Sequence, residues 1–218
     1  MTTVSFVLGG VLLGSSGVQE LIPPTGADGL DWIADVDSAN STLFVGAWLI
    51  ILTTLVGTVA LVGFYDVLKS AGPVMVLAPI MGVVGLGLVT ISHLIPIALA
   101  YEFVPGYIAA DEATKASLAA SFDTFASLSL VLNYTGNALG WGVAVPLYAI
   151  AILKTGAVPR WIGWLGLFVA AVAGWLGLLS PASSVIEGIT TLGFIAFFVF
   201  MLSMGIALLL RQRGEATG

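Results

Sequence analysis

Residues 74–100 read VMVLAPIMGVVGLGLVTISHLIPIALA, 27 consecutive positions without one Asp, Glu, Lys or Arg. A helix needs roughly 20 predominantly apolar residues to cross a hydrocarbon core, and this stretch exceeds that. It is preceded by Lys69-Ser70-Ala71-Gly72-Pro73, whose Gly and Pro break a helix, and followed by Tyr101-Glu102. The two ends therefore carry opposite charge, and the same asymmetry recurs along the chain.

Five of the six basic residues, Lys69, Lys154, Arg160, Arg211 and Arg213, fall at alternate ends of long apolar stretches, and ten of the twelve acidic residues fall in the segments between. Only Lys115 lies on the acidic side, and only Asp66 and Glu215 are acids on the basic side. Short loops rich in Lys and Arg stay in the cytoplasm, so the basic ends read as inside. The inner side nets +3 and the outer side −9, which together make the chain's −6. An outer surface of that sign repels phosphates and argues against a nucleic-acid partner.

Composition points the same way. Hydrophobic residues make up 59% of the chain and charged residues 8%, against about 25% charged in a soluble domain. There is room for six spans in 218 residues and none for a separate soluble domain. The absence of cysteine excludes disulfides, thiolate metal sites, Fe–S clusters and cysteine nucleophiles, and leaves the redox compartment open.

The fold class that follows is all-α: one domain over 1–218, a polytopic six-transmembrane-helix bundle with both termini cytoplasmic, set in the inner membrane of a prokaryote. Spans are expected over about 4–22, 43–68, 74–100, 125–153, 161–180 and 185–210. The first has no basic n-region and ends in Gln19, Glu20 and Pro23-Pro24 rather than a small-residue cleavage site, so it reads as a retained helix. Residues 23–42, with Asp28, Asp31, Asp35 and Asp37 around Trp32, read as an outer loop. An amphipathic helix is expected at the outer interface over about 108–122, from Leu118, Phe122 and Phe125 at helical spacing among Asp111, Glu112 and Lys115. Trp161 and Trp164 open span five as an anchor at the inner headgroups.

The turn Gly156-Ala157-Val158-Pro159-Arg160-Trp161-Ile162-Gly163, of Gly-x-x-Pro-Arg-Trp-x-Gly type, follows a fourth span rich in Asn. Together they resemble uncharacterised prokaryotic six-span integral membrane protein families of unknown function. The similarity covers mainly the last 90 residues; it implies a fold and nothing catalytic.

Ionisable and amide side chains inside spans are costly and usually face protein or water, so each is a site candidate. His93, the only histidine, lies about two turns below the outer end of span three. Pro96 has no N–H to give to the Ser92 carbonyl, which leaves that oxygen open to another partner. In span four, Ser129, Asn133 and Asn137 recur at intervals of four and so share a face, continued by Trp141, with Tyr134 beside them. Gly136, Gly140 and Ala144 form a small-x-x-x-small series on an adjoining face that admits a close helix. Glu20 ends span one, and Glu187 begins span six one turn before Thr190 and Thr191. The ligand-binding or proton-linked candidates are thus His93, Asn133, Asn137, Glu20, Glu187, Tyr134 and Trp141, of which Glu20, His93, Asn133, Asn137 and Glu187 share the outer half of the bilayer. The inner halves are almost wholly apolar, with Tyr148 and span two's Thr53, Thr54 and Thr58 as the main exceptions, so the expected feature is an outward-facing polar cavity closed below.

Several chemistries lack their residues. One histidine cannot supply bis-histidine haem ligation, no lysine lies mid-span for a retinal Schiff base, and His93 with Glu20 and Glu187 would only just make a zinc set. The acidic segment from Asp28 to Asp37 lacks the glycine and glutamate positions of a calcium loop. No metal or cofactor is implied by any motif, and no catalytic residue is assigned. The leading function is binding, as an accessory subunit of a membrane complex or as a lipid or small-ligand binder with its pocket in the outer leaflet. Its partners would be membrane lipids and, in the first case, other membrane subunits. The alternatives are a small proton-coupled transporter using His93 and an intramembrane lipid-modifying enzyme with His93 as general base.

Overall fold

A computed structural model describes residues 22–182 and 184–216, and the described chain is helical almost throughout. The elements are α1 (Ala27–Leu68), α2 (Leu77–Ala98), α3 (Val104–Ala109), α4 (Glu112–Leu139), α5 (Val145–Thr155), α6 (Arg160–Val169) and α7 (Ser184–Ala216). Five stretches of described residues are long and apolar enough to cross a membrane: Phe44–Ala71, Pro73–Ala109, Glu112–Thr155, Arg160–Leu179 and Gly188–Arg211. Apart from Ile22, the span expected over 4–22 lies outside the described residues.

Lipid is the solvent these helices require. On α1, Val45, Trp48, Leu52, Leu55, Val59 and Val62 recur at three- and four-residue steps and are all exposed; on α7, Ile189, Leu192, Ile195, Val199, Leu202, Ile206 and Leu209 do the same. Stripes of this length far exceed the apolar patches that water-soluble monomers leave uncovered. The protein is a multi-pass membrane protein.

At the acidic ends the helices run further than the charge pattern indicates. The segment 23–42, expected as a loop, is helical from Ala27 and continues without a break into the span as α1. Trp32, Ile33 and Val36 repeat at steps of one and three, and that face is buried while Asp28, Asp31 and Asp35 stay exposed. The expected interfacial helix over 108–122 is likewise no separate element: α3 ends at Ala109, Asp111 caps α4 by accepting from the Thr114 N–H at 2.8 Å, and α4 then runs straight into span four. No Gly or Pro interrupts 112–135, so nothing stops it. Glu112–Thr155 spans 44 residues, roughly 66 Å at 1.5 Å per residue and about twice a hydrocarbon core.

These extensions form their own apolar cluster, in which Phe122 packs on Trp32 (ring centroids 5.7 Å apart) and on Phe103 (5.6 Å). Gly29 lets them meet, since a Cβ there would lie 2.6 Å from the Phe122 ring. Asp123 binds the start of α1 by accepting from the Gly26 N–H at 2.8 Å.

Among the described residues three five- or six-residue π-helical turns break the α pattern: Leu99–Phe103, Gly140–Ala144 and Ala170–Trp175. The first two each precede a proline by two residues, Pro105 and Pro146. Proline lacks the N–H and its ring collides with the carbonyl four residues back, so the widened turn relieves both faults.

Glycine decides which helices touch. A Cβ on Gly85 of α2 would sit 2.6 Å from the Gly136 carbonyl oxygen, and one on Gly136 would sit 2.6 Å from that of Gly85. The small series of span four, Gly136 on α4 with Gly140 and Ala144 in the π turn after it, therefore faces α2, as close backbone contact requires. One turn further on, a Cβ on Gly174 would lie 2.6 Å from Gly142 Cα, which joins the second and third π turns. The basic ends close over a larger apolar cluster holding Phe64, Leu68, Tyr148, Ile152, Phe200 and Met204.

Candidate functional site

Between the two apolar clusters lies a layer of buried polar groups contributed by α1, α2, α4 and α7. Ser92, His93, Ser129, Thr53, Thr54 and Thr190 are all less than one-tenth exposed. Most are bound to the backbone. Pro96 frees the Ser92 carbonyl, and the Ser129 hydroxyl of α4 donates to it at 2.7 Å. The Thr54 and Thr90 hydroxyls meet at 2.7 Å between α1 and α2, while each also lies 2.8 Å from a carbonyl of its own helix.

His93 turns back on its own helix. Its Nδ1 lies 2.8 Å from the Val89 carbonyl oxygen, and because a carbonyl only accepts, Nδ1 carries the hydrogen. The Ser92 hydroxyl donates to the same carbonyl at 2.7 Å. In the neutral ring Nε2 is then an acceptor.

A cavity of about 310 Å³ lies beside it, bordered by His93, Thr53 and Thr54, by Asn133, Asn137 and Trp141 of span four, and by Phe194, Phe197 and Phe198 of α7. A second cavity, of about 200 Å³, lies on the other side of the asparagines and is lined by Tyr134, Gly174, Gly177, Thr190 and Thr191. Asn133, Asn137, Trp141 and Phe194 are shared by both, so they form the wall between them. Trp141 and Phe194 meet edge to face, 4.7 Å between centroids. Toward the basic end lies a separate recess of about 40 Å³ among Leu61, Phe64, Tyr148 and Phe200, which shares Gly140, Trp141 and Phe197 with the wall of the larger cavity. That volume holds little more than one water. The Tyr148 hydroxyl is committed to the Leu61 carbonyl at 2.7 Å.

The structure thus brings five of the sequence-derived candidates to one place: His93, Asn133, Asn137 and Trp141 on the larger cavity, and Tyr134 with both asparagines and Trp141 on the smaller. His93 and Asn133 share a cavity, although no direct hydrogen bond joins them among the described residues. Glu187 lies in the first turn of α7 and its side chain is outside the described residues, as is all of Glu20. Among the described residues, no three His, Cys, Asp or Glu side chains gather as metal ligands would. Sequence reasoning missed Phe197, Phe198 and the place of Thr53 and Thr54 on the wall of the larger cavity. Depth along a helix, which is all the sequence provides for these two threonines, says nothing about which neighbour a residue faces.

Comparison with protein-family models, with curated proteins and with solved structures gives no match to this chain.

Proposed function

We propose that this is a six-span protein of a prokaryotic cytoplasmic membrane, with both termini inside, that acts by binding a small amphiphilic molecule in the cavity bordered by His93, Asn133 and Asn137. One observation carries the reading. Two asparagine amides and a histidine from α4 and α2 converge on a space of about 310 Å³, where polar groups are expensive unless something satisfies them. Its aromatic and aliphatic walls, with a few convergent polar groups, have the character of a small-molecule site.

The apolar closure toward the basic end favours binding over passage. A transport path needs polar groups through that half, and Tyr148, the best available, is bound to the Leu61 carbonyl. Native mass spectrometry on protein extracted from its own membrane tests the proposal. The wild type should release a bound small molecule that an Asn133→Leu/Asn137→Leu variant, folded by circular dichroism, does not carry. A wild-type spectrum of bare polypeptide, with thermal stability unchanged by added membrane extract, would count decisively against it.

A further inference from the structure

We propose that the larger cavity selects a neutral alcohol or phenol, whose hydroxyl donates to His93 Nε2 and accepts from an asparagine amide on α4; this rests on the cavity being a ligand site. The Nδ1 contact to the Val89 carbonyl at 2.8 Å uses the one N–H of the neutral ring, so Nε2 presents a lone pair. The Ser92 hydroxyl oxygen also lies 3.1 Å from Nδ1, but the shorter approach of Nδ1 to a carbonyl that can only accept requires the hydrogen on Nδ1 and leaves the serine oxygen beside it as a second acceptor. His93 is 6% exposed and borders the cavity, which makes the cavity the space from which a ligand reaches Nε2. Asn133 and Asn137, bordering the same space, each bring both a donor and an acceptor.

A hydroxyl is the smallest group that supplies a donor and an acceptor at one atom. A ketone, an ether or a carboxylate brings acceptors only and would set a lone pair against Nε2. A charged ligand would also lose its hydration, and among the described residues the cavity wall contains no Lys, Arg, Asp or Glu to compensate. At about 310 Å³ the space is near the lower end for small-molecule sites, which suits one ring or a short chain and not a whole lipid.

His93 is the only histidine, so a chain labelled with [15N]histidine and carrying no histidine tag gives the resonances of one ring. The probes are 4-propylphenol and its methyl ether, 4-propylanisole, titrated into wild-type protein in nanodiscs. The unliganded ring should be the Nδ1–H tautomer. The phenol should move the Nε2 resonance upfield and bind roughly 3- to 10-fold more tightly than the ether, the effect of one net hydrogen bond. An Nε2–H tautomer would overturn the proposal. Equal affinity for the two probes would overturn it too while leaving the cavity a ligand site of other selectivity. Binding of neither would remove the ligand-site reading as well.

Discussion

Replacing Ser129 by alanine removes one hydrogen bond whose value the sequence around its acceptor determines. The Ser129 hydroxyl donates at 2.7 Å to the Ser92 carbonyl, and both residues are fully buried. In an uninterrupted helix that carbonyl would accept from the residue at 96, but Pro96 has no N–H. The variant therefore leaves a buried carbonyl without its main partner, a fault that generally costs about 1–3 kcal/mol. Interhelical hydrogen bonds within membranes average about 0.6 kcal/mol and reach about 1.7. A buried acceptor without its usual helical donor puts Ser129→Ala near the top of that range, about 1.5 kcal/mol. In a Pro96→Ala background the restored N–H takes over the carbonyl, and the same substitution should cost about 0.5 kcal/mol. The predicted coupling is about 1 kcal/mol, well above the additivity expected of independent sites. Equilibrium unfolding in mixed detergent and SDS micelles measures all four corners of the cycle. Equal costs in the two backgrounds would refute the claim that Ser129 substitutes for the missing helical donor.

Gly136→Ala should destabilise by roughly 1–3 kcal/mol, because its Cβ would meet the Gly85 carbonyl oxygen at 2.6 Å and backbone cannot move aside cheaply. Gly87→Ala, with nothing within 4 Å, should be neutral or slightly stabilising in the same unfolding assay. Hydrogen bonds from Thr114 hold the Asp111 carboxyl below the usual aspartate range. A depressed folded value means that its contribution is present at neutral pH and is lost as pH falls below about 4. Asp111→Asn keeps a capping side chain but cannot titrate, so its melting temperature should fall less than that of the wild type between pH 5 and pH 3. The chain has no cysteine, which makes single-cysteine labelling unambiguous. With an impermeant maleimide on intact cells, exposed Ser121→Cys should label and exposed Ser70→Cys should not, and the reverse pattern would contradict the charge map.

The spans were legible because a helix in lipid satisfies its backbone locally and needs only length and apolarity, as residues 74–100 have. The segments at the acidic ends were less so. Four aspartates in the 23–42 segment give a composition typical of a loop, and the helical repeat of Trp32, Ile33 and Val36 is too short to stand out. Its partner face, Phe122 with Phe103, lies some 70 to 90 positions away. A segment whose helicity depends on a distant apolar surface does not announce it in its own residues.

In the site the division is equally physical. That Pro96 frees a carbonyl is a covalent fact, readable from one residue; that Ser129 receives it depends on the register of α4 against α2, which Gly85 and Gly136 set through backbone contact. The candidates His93, Asn133, Asn137, Tyr134 and Trp141 stood out because polar and amphipathic side chains are rare at that depth. Their convergence on two cavities, and the tautomer of His93, follow from how neighbouring helices and the local backbone are arranged. By itself the sequence determined that the chain is helical and belongs in a membrane, since burial in hydrocarbon is a property of each segment alone. Only the tertiary structure decided which polar groups meet and what space they border, because those depend on contacts between segments far apart in the chain.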